Sequence, residues 1–272
     1  MYWHDSNFEK HEDFLMNEKL LMETVALAGK IMLASGAEVY RVEETMKYML
    51  QKSSYPVAEA VALGTGLFVS LDDLERDTLT IARRVPARST NLNRICAVNE
   101  VSRRFCSNQL TVEEAYSELR DIESDKVYTR RWTFLGMIGV SAFFAPIFGG
   151  GLLDVLGSGI VGVISALADW LVKKVKLNDF FINAFCAFTI AIGATVVRKF
   201  ILPGCSSDVM IISSIMSLVP GVAFTTSIRD ILNGDYASGS ARMLEAIVVA
   251  LAIAAGVGLG LVFWGVFWRW LT

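Results

Sequence analysis

The sequence has few residues of the types that most catalytic sites need. Only 2 of its 272 residues are histidine and only 4 are cysteine. Both histidines, His4 and His11, precede the region that we expect to fold, which leaves that region without a base for a Ser-His-Asp or Cys-His arrangement. No GxSxG, HExxH or Walker A motif occurs, and no CxxC pair. We therefore expect a protein that is not an enzyme and that binds neither a metal nor a cofactor.

The sequence is also short of charge. Charged residues make up 19% of the chain, against about 25% in a typical soluble domain. They are dense up to residue 131 and sparse afterwards, which indicates two regions with different solvents. The net charge of −3 excludes the concentrated excess of lysine and arginine that a nucleic-acid partner requires.

Long apolar stretches fill the second region, residues 126–272. A helix needs about 20 apolar residues to cross the roughly 30 Å hydrocarbon layer. The stretches that reach approximately this length are 132–153, 155–172, 180–197, 208–228 and 246–268. We predict a membrane all-α bundle of about five transmembrane helices. Gly256 and Gly260 have the GxxxG spacing that lets two helices approach closely.

Basic residues near the ends of these stretches predict their orientation, because lysine and arginine are retained on the cytoplasmic side. The N-terminus lacks the positively charged and then apolar segments of a secretory signal. We therefore expect a protein of the cell inner (plasma) membrane, with its N-terminus in the cytoplasm and its C-terminus on the outer side. The predicted cytoplasmic set is Lys126, Arg130, Arg131, Lys173, Lys174, Lys176, Arg229 and Arg242. The predicted outer set is Arg198, Lys199 and Arg269.

The first region predicts a polar tail over residues 1–19 and a cytoplasmic α+β domain over 20–125. Apolar spacings of three and four predict helices over 20–35, 39–51, 91–106 and 112–122. Thr111 and Glu114 form the pattern of a capping box at the start of the last of these. Small and β-branched residues predict two or three short strands over 57–71 and 78–84.

Three segments indicate the protein's family more specifically than the overall composition does. They read SGAEVYRVEETM over 35–46, RVPARSTNLNRICAVNEVSRR over 84–104 and PGVAFTTSIRDILNGDYASGSARMLEA over 220–246. All three resemble the threonine/serine exporter family. The resemblance implies export of small amino acids or of dicarboxylates such as succinate. It also implies a smaller membrane partner of the same family in a hetero-oligomer, because this chain holds only one of the two membrane blocks of single-chain members.

The first of these segments places three charged residues on one helix face, since Glu38, Arg41 and Glu44 are spaced by three. This row predicts a gating or coupling surface, and a solvated row of ion pairs is the alternative.

The third segment holds the best candidate for a substrate site. Pro220 and Gly221 interrupt an apolar helix and predict a gating break, because broken helices expose backbone groups that transporters use. Arginine can bind a carboxylate in a bidentate manner, threonine offers a hydroxyl, and aspartate can carry a coupling proton. The candidates are Thr225, Thr226, Arg229 and Arg242 for substrate, and Asp230 and Asp235 for the proton. An ordinary cytoplasmic loop with salt bridges and caps is the alternative.

Asp169 and Asp208 are the acids nearest to the predicted membrane interior. Burying an acid in lipid is costly, so both are candidates for proton coupling. Both also lie near helix ends, where interfacial capping would account for them.

Two functions compete. A secondary exporter driven by the proton gradient fits the absence of a nucleotide-binding motif. The alternative is a membrane-anchored regulatory or scaffold protein with a ligand-binding cytoplasmic domain. A tether needs only one or two membrane spans, so five favour transport of a small molecule.

Overall fold

A computed structural model describes residues 5–85, 89–125, 128–175 and 177–271. The predictions made on His4, Lys126 and Lys176, and on the side chain of His11, lie outside this description. The helices and strands are α1 (Asp5–Ala34), α2 (Val39–Leu50), β1 (Val57–Leu63), β2 (Gly66–Asp73), β3 (Arg76–Arg84), α3 (Leu92–Cys106), α4 (Val112–Ser124), α5 (Arg130–Phe144), α6 (Leu152–Val172), α7 (Asp179–Val196), α8 (Ser207–Ile215), α9 (Gly221–Leu232) and α10 (Tyr236–Leu271).

The chain divides into two compact units. The first comprises Met1–Val127 and Val222–Met243, and the second comprises Tyr128–Gly221 and Leu244–Thr272. Residues 222–243 therefore belong to the same unit as the N-terminal helices and strands, although the sequence placed them in the transmembrane region.

In the first unit, three strands form an antiparallel sheet in the order β1-β2-β3. This confirms the strands that the sequence predicted. Leu67, Val69 and Leu71 alternate with exposed residues along β2 and are fully buried, as a sheet with one covered face requires. Helix α1 crosses this face so closely that a Cβ at Gly29 would lie 3.0 Å from Cδ2 of Leu67.

Helix α1 begins at Asp5, so most of the predicted polar tail is helical. Glu18, near the end of the predicted tail, contacts the segment that follows α2. Its buried carboxylate accepts hydrogen bonds from the backbone and hydroxyl of Ser54, at 3.1 and 2.6 Å, and from the hydroxyl of Ser53 at 2.7 Å. The capping box of Thr111 and Glu114 is confirmed at the start of α4.

Among the described residues, four helices are long and apolar enough to cross a membrane: Arg130–Phe148, Leu152–Val175, Asp179–Ile201 and Tyr236–Trp270. The last of them begins in the first unit and continues into the second. The stretch 208–228, predicted as a span, is not among them, and its helix is interrupted before Gly221, where the sequence predicted a break. Helix α8 ends at Ile215 and α9 starts at Gly221. Pro220 lacks an amide donor and disfavours helical backbone in the residue before it, so the helix cannot continue unbroken through Val219 and Pro220 into α9.

The GxxxG spacing in α10 does bring two helices together. A Cβ at Gly256 would lie 2.2 Å from the carbonyl oxygen of Ala184, and one at Gly260 would lie 2.9 Å from that of Phe188. Helices α7 and α10 therefore touch backbone to backbone, as small residues in apolar helices allow.

Candidate functional site

In the first unit, α9 and the start of α10 form a helical hairpin. Gly234 has a φ of +91°, a conformation that glycine adopts without steric cost. The amide of Asp235 bonds to the carbonyl of Asp230 at 3.0 Å, which closes α9 with a Schellman turn. The carboxylate of Asp235 then accepts from the amide of Ser238 at 3.1 Å and caps α10. This turn fixes the two helices side by side.

The two helices of the hairpin pack closely at Gly239. A Cβ there would lie 2.6 Å from Cγ1 of Ile231 and 2.9 Å from the carbonyl oxygen of Ser227. Only glycine fits, so this position determines how near α10 lies to α9.

The start of α2 supplies the other half of the site. Gly36, with a φ of +86°, ends α1, and Glu38 occupies the N-cap of α2 without capping it by its own side chain. The first amides of a helix lack partners within the helix. The amide of Val39 donates instead to Oδ1 of Asp230 at 3.0 Å. A carboxylate 191 residues away along the chain therefore sits at the positive end of α2.

Arg242 donates two hydrogen bonds, forms one ion pair and is almost fully buried. Its Nη1 donates to the hydroxyl of Thr226 at 3.1 Å, and its Nη2 donates to the carbonyl of Ala37 at 3.1 Å. Nη1 also lies 3.4 Å from Oδ2 of Asp230, an ion pair without hydrogen-bond geometry. The side chains of Arg242 and Asp230 are 4% and 0% exposed. The pair therefore joins α9, α10 and the start of α2.

A second pair borders the first. Nη1 of Arg229 donates to Oε1 of Glu38 at 2.7 Å, and Arg41 lies 3.8 Å from the other oxygen of Glu38. The Arg229 side chain is 61% exposed, whereas that of Glu38 is 9% exposed. We call Glu38, Arg229, Asp230 and Arg242 the ion cluster.

Burial dominates the electrostatics of Asp230. Removal from water raises the pKa of this carboxyl group above its ordinary value, and the nearby Asp235 and Glu38 raise it further. The Val39 amide and the Arg242 guanidinium oppose this rise, and the net direction is upward. Asp230 is thus a buried acid that takes up a proton more readily than a solvated aspartate.

The structure separates the predicted site residues into three groups. Glu38, Arg41, Thr226, Arg229, Asp230 and Arg242 come together in the first unit. Asp235 caps a helix, and Thr225 is exposed and donates to its own helix at the carbonyl of Val222, 3.1 Å away. Glu44 lies on the exposed surface of α2.

The remaining candidates, Asp169, Asp208, Pro220 and Gly221, belong to the second unit. Asp169 pairs with Lys173 at 2.8 Å, one helical turn away. Asp208 is exposed, and the N-cap of α8 is Ser206 rather than Asp208. Asp169 lies in the last turn of α6 and Asp208 in the first turn of α8.

Sequence reasoning missed Asp154. Its Oδ2 accepts from the amide of Gly151 at 2.9 Å and its Oδ1 accepts from the amide of Ser206 at 2.6 Å. The first bond has a local signal, an acid in the first turn of a helix that follows glycine. The second bond joins residues 52 positions apart, and no local sequence pattern predicts it. Across the part of the chain that the structure describes, no group of three His, Cys, Asp or Glu side chains could hold a metal ion.

These features define a class of protein: a chain with several helices apolar enough to span a membrane, joined to a helix–sheet unit with a buried ion cluster. The model of the threonine/serine exporter family, ThrE, matches residues 23–264. The chain therefore belongs to this family.

Three relatives illustrate the match. A Mycobacterium tuberculosis protein named "Probable threonine/serine exporter" is 26% identical over 90% of this chain and 46% of its own length. The "Threonine/serine exporter" of Corynebacterium glutamicum is 25% identical over 89% of this chain and 50% of its own. The "Probable succinate transporter subunit YjjP" of Klebsiella aerogenes is 25% identical over 86% of this chain and 90% of its own.

The chain thus spans half or less of the length of the two named exporters. No solved structure matches it.

Proposed function

We propose that this chain is one membrane component of an exporter that moves threonine and serine, or a dicarboxylate such as succinate, out of the cytoplasm. The family membership and the names of the relatives support export of such solutes. The observation that carries the proposal is the ion cluster. It joins two of the three segments that resemble the family, 35–46 and 220–246, because the buried side chains of Asp230 and Arg242 bond to the backbone of Val39 and Ala37.

In this proposal Asp230 carries the coupling proton. A proton-driven transporter needs a group whose charge changes in a place from which water is excluded, because there the change alters the local energy most. Asp230 is fully buried, its pKa is raised, and its charge decides whether Arg242 is neutralised. Protonation would weaken both the pair with Arg242 and the bond from the Val39 amide, and so would loosen the start of α2 from the hairpin.

Arg229 is the residue that we assign to the substrate carboxylate. All of the threonine, serine and dicarboxylate candidates carry a carboxylate, which a guanidinium group binds well. Arg229 is largely exposed and has Glu38 as its buried partner. A substrate carboxylate can therefore reach Arg229 and compete with Glu38, and Thr225 on the same helix offers an exposed hydroxyl group.

The proposal includes a smaller membrane partner. The two named exporters are about twice as long as the region they share with this chain. The Klebsiella relative, which matches over nearly its whole length, is named a subunit. Together these support a split transporter in which another chain supplies the second membrane block.

Transport in proteoliposomes tests the proposal. The full chain is reconstituted with and without the candidate partner, and efflux of labelled threonine, serine and succinate is measured under an imposed pH gradient. We expect gradient-dependent efflux of at least one solute, only with the partner present, and its loss in Asp230→Asn. Asp121→Asn, which removes an exposed acid from α4, is the matched control. Gradient-driven efflux that persists in Asp230→Asn would exclude Asp230 as the coupling group.

A further inference from the structure

An open cleft of about 600 Å³ lies between α5 and α6 in the second unit. It is unrelated to the ion cluster, and none of the predicted substrate or proton residues lines it. Its lining residues are Arg130, Arg131, Phe134, Leu135, Leu167 and Trp170.

Cations gather at one end of this cleft. The guanidinium carbon of Arg130 lies 4.9 Å from the ring centre of Trp170, and Nζ of Lys174 lies 3.7 Å from the same ring. Arg131 is the second cationic residue of the lining, which contains no acid. The nearby Asp169 is paired with Lys173. The end of the cleft therefore carries positive charge around one indole ring.

The walls of the cleft are apolar and uncovered. Leu135 is 57% exposed and Leu167 is 45% exposed, and both belong to helices apolar enough to span a membrane. Trp170 completes the arrangement, because tryptophan favours the depth of lipid headgroups. Positive charge at headgroup depth with an apolar wall below it matches the chemistry of one kind of molecule, a lipid with a negatively charged headgroup.

We infer that this cleft binds an anionic phospholipid. The phosphate group contacts Arg130 and Arg131, and an acyl chain follows Leu135 and Leu167 along the helices. A free phosphate ion is also an anion but would leave the apolar walls uncovered. A zwitterionic phospholipid would cover the walls but has no net charge to attract the cations. Inorganic phosphate and phosphatidylcholine are the probes that distinguish these two alternatives from an anionic phospholipid.

Native mass spectrometry of the purified full chain tests the inference. The protein is mixed with phosphatidylglycerol or phosphatidylcholine in detergent, and the retained lipid is counted. We expect tighter retention of phosphatidylglycerol, and a loss of about fivefold for Arg130→Gln or Arg131→Gln and about 30-fold for both, the factors that follow from the attraction of single basic residues to anionic lipid. Inorganic phosphate should not compete at equal concentration.

The control removes two cations from elsewhere in the second unit. Lys199→Gln with Arg269→Gln changes the charge equally but leaves the cleft intact, and should retain phosphatidylglycerol as the unchanged protein does. Equal retention of both lipids, or undiminished phosphatidylglycerol in the Arg130 and Arg131 double variant, would overturn the inference.

A second measurement identifies the occupant directly. A photo-crosslinking residue at Leu135, in the membrane, should capture lipid. Capture of a protein chain instead would show that the cleft is a subunit interface and would refute the lipid site. Both measurements are independent of transport, so they stand or fall separately from the proposed function.

Discussion

Replacing Arg242 by methionine tests the ion cluster most directly. The change keeps much of the side-chain volume but removes the positive charge next to Asp230, which is 0% exposed. It also removes the donors to Thr226 and to the carbonyl of Ala37. Removing one partner of a buried ion pair destabilises a protein by about 3–5 kcal/mol, because the other charge is left without compensation.

That cost should appear where the cluster meets α2. The Val39 amide donates to Asp230, so its hydrogen exchange reports on whether the hairpin and the start of α2 remain joined. A loss of about 3–5 kcal/mol corresponds to exchange faster by roughly 100- to 5000-fold, since every 1.4 kcal/mol is a factor of ten. Mass spectrometry of a peptide that contains Val39 measures this, with Arg103→Met, an exposed change in α3, as the control.

A double variant separates charge from packing. Adding Asp230→Asn to Arg242→Met removes both charges and retains an oxygen that can accept from the Val39 amide. We expect exchange in the double variant to be slower than in Arg242→Met alone, with a coupling energy of about 0.5–3 kcal/mol between the two sites. If the double variant exchanges as fast as the single one, the charge of Asp230 is not what Arg242 compensates, and the reasoning fails.

Three further predictions concern the packing of α10, the cap of α4 and the pKa of Asp230. Gly256→Val should separate α7 from α10, because a Cβ there would lie 2.2 Å from a carbonyl oxygen. The variant should have a lower melting temperature in detergent. Gly258→Val is the control and should not, because a Cβ at Gly258 meets nothing within 4 Å. Thr111→Ala should destabilise α4 by about 1 kcal/mol through loss of its cap, measured as faster exchange in its first turn. Burial raises the pKa of Asp230 above its ordinary value of 3.8. At pH values between 3.8 and this raised pKa, the folded protein holds a proton that the unfolded chain has released. Stability of the first unit should therefore fall as the pH rises through that interval, and Asp230→Asn should flatten this dependence in a pH series of exchange rates.

The sequence revealed those features whose causes are local. The capping box at Thr111 lies within four residues, and the alternation along β2 reflects a single covered face. The close approach at Gly256 also has a local signal, because the small residues are spaced by one helical turn. The capping box and the glycine spacing were predicted and are confirmed, and strands were predicted over 57–71 without the alternation along β2.

Features that depend on contacts between distant residues were not predicted. Pro220 and Gly221 predicted a break in the stretch 208–228, but no local pattern shows that 222–243 packs with the N-terminal helices. Glu18 was likewise assigned to a tail, because the hydroxyl groups that hold it belong to Ser53 and Ser54. Composition describes the solvent that a segment prefers, whereas its partners are decided by the fold.

The two arginines of the hairpin show what this difference means for function. In the sequence, Arg229 and Arg242 were equal candidates for a substrate carboxylate. In the structure, Arg242 is buried and occupied by Asp230, Thr226 and Ala37, whereas Arg229 is 61% exposed and shares only the carboxylate of Glu38 among its described contacts. A guanidinium group whose donors are already bound must give up those bonds before it can accept a ligand, and an exposed one need only exchange one carboxylate for another. Arg229→Gln should therefore raise the substrate concentration needed for half-maximal transport, while Arg242→Met should abolish coupling to the pH gradient.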